Sequence, residues 1–202
     1  MKKPVGWAMS ADMGRKIVCV VGPTACGKTA LGILLAKKLG GEVVSADSMQ
    51  IYKGMTIGTA APTEEEMDGV PHHMIAVADP AEQWSAARYA QEAIPVIDRI
   101  LECGKLPILV GGTGLWLDAV VRGHGFAAGC AGGAVRRELE ERLAEKGIAS
   151  LLAELQAVDP EAAERLHPAD EKRILRALEV YRETGRTFTD HNRETATLPP
   201  RY

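Results

Sequence analysis

Gly22-Pro23-Thr24-Ala25-Cys26-Gly27-Lys28-Thr29 decides the fold. The run Lys16 to Val21 before it is short and apolar, and reads as a buried strand. After it, the pattern from Lys28 to about Leu39 is helical, with Gly40 and Gly41 as stop signals. A glycine, four residues, then Gly-Lys-Thr between a strand and a helix is the phosphate-binding loop pattern. Glycines let the backbone wrap closely, so that N–H groups at a helix N-terminus can converge on phosphate oxygens. Residues 22–29 are therefore the expected binding segment. Lys28 supplies a point charge for the terminal phosphate, and the Thr29 hydroxyl is placed to ligate Mg²⁺.

Outward from this loop, Glu42 to Ala46 reads as a second strand that ends at Asp47. Thr63 with Glu66 makes a capping box for a short helix before Pro71. Ser85 caps a longer helix reaching about Cys103, expected to kink or break at Pro95. Lys105 to Val110 is a third buried strand, leading into Gly111-Gly112-Thr113-Gly114. Strands alternating with helices at this spacing predict an α/β fold: a parallel sheet flanked by helices and carrying the phosphate loop.

The texture changes after about Val121. Residues 123–134 are rich in glycine and alanine. Helical patterns follow over Ala134–Lys146, Ser150–Val158 and Glu171–Thr184. Asp159-Pro160 is an N-cap followed by proline at the first helical position, and Gly185 is a stop. The expected organisation is a disordered leader over 1–15, with Met13 as an alternative start, a phosphate-binding α/β core over 16–121, and an attached helical subdomain over 122–202.

Composition narrows the function. The 202 residues are 46% hydrophobic and 25% charged, enough to bury a core. Aromatics are 4%, which argues against a surface that reads single strands by stacking bases on rings. A net charge of −3 excludes an overall coat of positive charge, leaving room for a local basic patch. Cys19, Cys26, Cys103 and Cys130 are scattered, with no Cys-x-x-Cys pair, so neither a zinc site nor a disulfide framework is expected. The longest apolar runs are strand-sized, and no apolar stretch follows Lys2 and Lys3 as a secretory signal requires. A cytoplasmic, monomeric protein with no membrane partner is expected.

The loop does not identify its phosphate compound. A typical nucleotide hydrolase adds a later strand ending in aspartate to hold Mg²⁺, whereas here Leu106–Val110 runs into two glycines. The carboxylate stands instead at Asp47. The carboxyl ends of parallel strands share one crevice, so Asp47 is a candidate base for an incoming acceptor, or an outer partner of the metal.

These residues together resemble the tRNA dimethylallyltransferases, the isopentenyl-diphosphate:tRNA transferases. Beyond the loop, the resemblance rests on Ser45-Ala46-Asp47-Ser48-Met49-Gln50-Ile51-Tyr52, Ile57-Gly58-Thr59-Ala60 with Pro62-Thr63, and Val70-Pro71-His72-His73. It continues through Ser85-Ala86, Gly104-Lys105-Leu106-Pro107, Gly111-Gly112-Thr113-Gly114-Leu115 and His167-Pro168. It closes on Lys172-Arg173-Ile174-Leu175-Arg176-Ala177-Leu178-Glu179-Val180-Tyr181 and Thr184-Gly185. In order, it spans about Lys16 to Arg186.

The resemblance implies transfer of a dimethylallyl group from dimethylallyl diphosphate, with Mg²⁺, to the exocyclic amine of the adenosine just 3′ of a tRNA anticodon. It puts the general base at Asp47 and a substrate-orienting hydroxyl at Thr113. Such an amine is reachable only when the base leaves its stack. Gln50 could then read the adenine edge, with Ser48 and Met49 at the entrance. The resemblance also places Asp47 to Gln50, Thr113, Arg136 and the run Lys172-Arg173-Ile174-Leu175-Arg176 against RNA. Seven Lys/Arg against five Asp/Glu between Arg165 and Arg193 is a mild local excess in keeping with that. Ile174, Leu178 and Tyr181 form a helical stripe that reads as core. His72 and His73 read as structural, since adjacent side chains point apart. Cys26, inside the loop, is expected to expose the phosphate site to thiol reagents.

The chain departs from the family pattern at Thr56, Ala61, Ala76 and Ala169, none of which touches the expected chemistry. Family chains also run on past this point, with another sheet strand, more tRNA-contacting helices and an arginine for the pyrophosphate. The sequence therefore resembles a C-terminally truncated member whose core would be completed beyond 202. Two alternatives stay open on the residues alone. One is a small-molecule kinase using ATP, with Asp47 as base; the other is an inactive fragment that only binds diphosphate or RNA.

Overall fold

The computed structural model describes residues 16–123, 133–197 and 199–202. The leader 1–15, most of the Gly/Ala-rich stretch with Cys130, and Leu198 lie outside the described residues. The chain divides into two compact units, Met1–Gly123 with Pro200–Tyr202, and His124–Pro199.

In the first unit, β1 (Val18–Val21), β2 (Gly41–Ser45), β3 (His72–His73) and β4 (Leu106–Gly111) form a parallel sheet in the order β1-β4-β2-β3. Val20 pairs with Val110 and Val43 with Ile108, so the β1 and β2 loops flank the end of β4. Every residue of β4 is buried, as expected of a central parallel strand covered on both faces. On one face α1 (Lys28–Leu39) packs Ile33 and Ala36 against Val20, Val43, Ile108 and Val110. α3 (Ala86–Glu102) and α4 (Gly114–Val121) also contact the sheet, bringing buried Tyr89, Ile97, Trp116 and Val120. The Tyr89 ring stacks on Trp116 at 4.3 Å.

Two local expectations change. β1 is half covered rather than buried, because it lies at the sheet edge: Val20 is buried, while Cys19 and Val21 are exposed. α3 runs unbroken through Pro95. Gln91 and Pro95 are both exposed, so the carbonyl that loses its N–H partner can be hydrated. α2 (Glu64–Met67) forms as expected, with the Thr63–Glu66 box closed in both directions. The chain end returns to this unit: Arg201 N–H donates to Val121 O, and the Tyr202 hydroxyl donates to Asp98 at 2.7 Å. Burial and the Asp98 carboxylate push the Tyr202 hydroxyl up to about 12.

The second unit is helical: α5 (Ala134–Val158), α6 (Pro160–Arg165), α7 (Glu171–Thr184) and α8 (Phe188–Thr197). α5 is two helices meeting at Gly147, whose φ of 71° lies in the left-handed region where glycine alone is unstrained. This matches the division expected between Lys146 and Ser150. Leu139, Leu151, Leu155, Ile174, Leu175 and Leu178 form its core. Asp159 caps α6 through Ala162 N–H, and also accepts from the Thr189 hydroxyl and N–H, tying α8 to the same point. No described helix is long and apolar enough to cross a membrane.

Candidate active site

The carboxyl ends of β1, β4 and β2 converge on a cavity of about 430 Å³, within the range of small-molecule sites. Its walls include Thr24–Thr29 from the phosphate loop, Gly112 after β4, and Asp47 and Gln50 after β2. Thr59, Ala60, Pro62 and Glu66 close another side. Thr59, Ala60 and Pro62 belong to stretches quoted for the resemblance and Glu66 to the capping box, and nothing in their chemistry distinguishes a wall from a surface loop.

The loop takes its shape from backbone that ordinary residues avoid. Gly27, the N-cap of α1, has φ 82°. Ala25 also lies in the left-handed region at φ 63°, a strained position of the kind that gathers at binding sites. Lys28 Nζ donates to Pro23 O at 2.6 Å, so the lysine folds across its own loop. Gly111 lets β4 pass β2 closely, since a Cβ there would fall 2.2 Å from Ala46 O.

Asp47 lies in a short turn at the end of β2. Its Oδ1 accepts from Met49 N–H at 2.9 Å, which fixes the carboxylate at the pocket wall. Thr113 Oγ1 accepts from Ser48 N–H at 3.1 Å, and also lies 3.3 Å from Ser48 Oγ. The structure thus makes Thr113 a tie between the β4 end and the Asp47 turn; Gly112, not Thr113, lines the cavity. Tyr89 donates to Ser45 O at 2.8 Å, a bond between residues 44 apart that no local pattern signals.

Gln50 lines the cavity with its amide already engaged. Ser45 Oγ donates to its Oε1 at 2.9 Å, and its Nε2 donates to Ala60 O at 3.2 Å. Reading an adenine would require Gln50 to exchange a loop contact for a base contact. Met49 is exposed and Ser48 half-buried.

The histidines do structural work. His73 Nε2 hydrogen-bonds Glu42 at 2.6 Å, and Lys105 Nζ donates to the same carboxylate at 2.7 Å. The Lys105 contact, helped by His73, holds Glu42 below the usual carboxylate range. His72 pairs through Nδ1 with Val70 O, and burial lowers its pKa. Among the described residues no group of three or more His, Cys, Asp or Glu could hold a metal ion. The oxygens lining the cavity that suit a hard cation include the Thr29 hydroxyl and the Asp47 and Glu66 carboxylates.

In the helical unit, Lys172 and Arg173 are exposed, and Arg173 pairs with Asp170 at 2.8 Å. Arg176 and Arg136 are partly exposed and pair with acids of α5 and α7. Ile174 and Leu175, expected in the RNA-facing run, are instead core residues at 0% and 3% exposure. α7 carries them on the face that packs against α5, so their side chains cannot lie on an RNA surface.

Residues 50–202 match the family model described as IPP transferase. The tRNA dimethylallyltransferase of Geobacillus thermodenitrificans is 50% identical over 181 residues, covering 90% of this chain and 58% of that protein. That of Halalkalibacterium halodurans is 47% identical over 190 residues, covering 94% and 60%. The chain thus spans about three fifths of the length of these curated relatives. A crystal structure of a tRNA isopentenylpyrophosphate transferase from Bacillus halodurans aligns with TM-score 0.57 at 48% identity, over 85% of this chain and 57% of that one. A eukaryotic dimethylallyltransferase, captured acting on tRNA, aligns with TM-score 0.79 at 32% identity, over 90% and 45%.

Proposed function

The chain belongs to the IPP transferase family, and on that premise we propose that it serves tRNA modification, with the chemistry of a tRNA dimethylallyltransferase. The donor is dimethylallyl diphosphate. The acceptor is the exocyclic amine of the adenosine 3′ of the anticodon. The observation that carries this reading is a phosphate loop and a fixed carboxylate, Asp47, lining one cavity whose remaining wall includes apolar Ile33, Ala60 and Pro62. The loop takes the diphosphate and the apolar wall takes the prenyl chain.

Lys28 swings from Pro23 O to the diphosphate and neutralises charge that develops as the allylic carbon–oxygen bond breaks. The amine nitrogen attacks the allylic carbon as that bond opens, and pyrophosphate leaves with its electron pair. Asp47, held by Met49 N–H, accepts the amine proton. Thr113, through Ser48, keeps the Asp47 turn against the end of β4. Thr29 and the diphosphate oxygens would hold Mg²⁺, with Asp47 close by, and the ion would supply further charge neutralisation on the leaving group. Lys172, Arg173, Arg176 and Arg136 contribute phosphate contacts in the helical unit, where the Ile174 and Leu175 side chains serve the core.

The test is transfer of labelled dimethylallyl diphosphate, with Mg²⁺, to an anticodon stem-loop RNA. A matched RNA carries guanosine at the target position. Label on the adenosine RNA alone supports the reading. Label on neither, with pyrophosphate bound, means this chain does not carry the transfer by itself.

A further inference from the structure

Among the described residues of the helical unit two acids, Asp159 and Glu179, are buried, and they are treated differently. Asp159, 3% exposed, is satisfied: its two oxygens take three hydrogen bonds from Ala162 and Thr189. Glu179, 1% exposed, is not. Its Oε2 accepts from Arg176 Nη1 at 2.8 Å and lies 4.0 Å from Arg136 Nη1, while its buried Oε1 has no hydrogen-bond partner.

A carboxylate in this position is costly. Burying it forfeits the solvation of a charge, and an apolar residue packs two helices together as well or better. Glu179 lies on α7, among Ile174, Leu175 and Leu178, which already provide that packing against α5. What the carboxylate adds is control of two cations. Arg176 comes from its own helix and Arg136 from α5, and both guanidiniums approach one oxygen atom. Without an anion between them, two like charges this close would repel and separate. Glu140 holds the other end of Arg136 through Nε at 2.8 Å. The guanidiniums are only partly covered, with side chains 33% and 21% exposed.

We propose that Glu179 is a positioning residue for RNA binding: its buried carboxylate holds Arg176 and Arg136 together as a fork-shaped seat for one backbone phosphate. The inference rests on the RNA-binding reading above. The seat is not a basic patch, because Glu140 and Glu179 balance the two arginines. Recognition there comes from the directions of the guanidinium N–H groups, which suit a phosphate's oxygens, rather than from net charge.

This gives a test in which two explanations differ in sign. Glu179→Gln removes a negative charge, so general electrostatics predicts tighter RNA binding. Loss of positioning predicts weaker binding. Affinity for an anticodon stem-loop RNA is measured for the wild-type chain, Glu179→Gln, Arg176→Lys and the double variant, with inorganic pyrophosphate affinity measured alongside. The expected result is about tenfold weaker RNA binding for Glu179→Gln and for Arg176→Lys, although the latter keeps its charge. The double variant is no weaker than either single one, since both break one unit. Pyrophosphate binding is unchanged in all. RNA binding by Glu179→Gln equal to or tighter than wild type overturns the proposal. Should Glu179→Gln fail to fold, Arg176→Lys decides, and unchanged RNA affinity there overturns it. A wild-type chain that binds no RNA overturns the RNA reading itself, an outcome distinct from any variant effect.

Discussion

Thr113 Oγ1 accepts a hydrogen bond from Ser48 N–H across 65 residues of sequence, and so joins the end of β4 to the turn that carries Asp47. With Met49 N–H on Asp47 Oδ1, this contact sets where the carboxylate lies relative to the phosphate loop. Thr113→Ala is predicted to lower the transfer rate by about tenfold to a hundredfold, the effect of a small misplacement of a reacting group. Pyrophosphate affinity changes little, and Thr113→Ser restores most of the rate. A rate loss matched by an equal loss of pyrophosphate affinity would place Thr113 in donor binding instead.

In the proposed reaction Lys28 exchanges its bond to Pro23 O for one to the diphosphate. Lys28→Met is predicted to weaken Mg²⁺–pyrophosphate binding by about 1.5–3 kcal/mol, the range for hydrogen bonds to charged groups. Calorimetry measures this directly. Because Lys28 is only half-buried and belongs to neither hydrophobic core, the unfolding midpoint without ligand is expected to stay within experimental scatter.

Cys26 lines the same cavity and is exposed. In a chain with Cys19, Cys103 and Cys130 changed to serine, a maleimide should label Cys26 and abolish pyrophosphate binding. Saturating pyrophosphate should slow the labelling. Full donor binding after verified alkylation would show that the loop does not hold the diphosphate.

Glu154 bridges α5 and α7, taking Arg182 Nη2 at 2.7 Å and Arg142 Nη1 at 2.6 Å. Burial works against its charged form, but the two arginine contacts outweigh that and hold its pKa below the ordinary value. A lowered folded-state pKa means that the stabilisation is complete above the unfolded value, about 4.3, and is lost as pH falls through the folded one. Helical ellipticity followed by heating should therefore show a falling midpoint between about pH 5 and pH 3. Glu154→Gln should flatten that dependence and cost about 1–3 kcal/mol near neutrality.

Much of this arrangement was legible because it depends on local chemistry. The phosphate loop, the Thr63 and Asp159 caps and the stop at Gly185 each declare themselves within a few residues. β3 was not legible, since two histidines carry no strand pattern and pair only because Val43 lies beside them. α4 follows glycines that read as a loop, and α8 is a polar segment tied down by distant Asp159. The same limit governs the site. Asp47 could be placed from its strand end, but the engagement of Gln50 with Ala60, the Tyr89–Ser45 bond and the buried Glu179 seat all depend on partners brought together by the fold. Ile174 and Leu175 show the converse, as a run quoted whole for RNA contact divides by helix face into core and surface.

The central claim is that Asp47 is the base for a prenyl acceptor held over the phosphate loop. Single-turnover transfer of labelled dimethylallyl diphosphate to the anticodon stem-loop, with wild-type and Asp47→Asn chains side by side and pyrophosphate affinity measured in both, tests it most directly. The account predicts a loss of about a hundredfold or more in transfer for Asp47→Asn with pyrophosphate binding retained. Transfer at the wild-type rate by Asp47→Asn would contradict it.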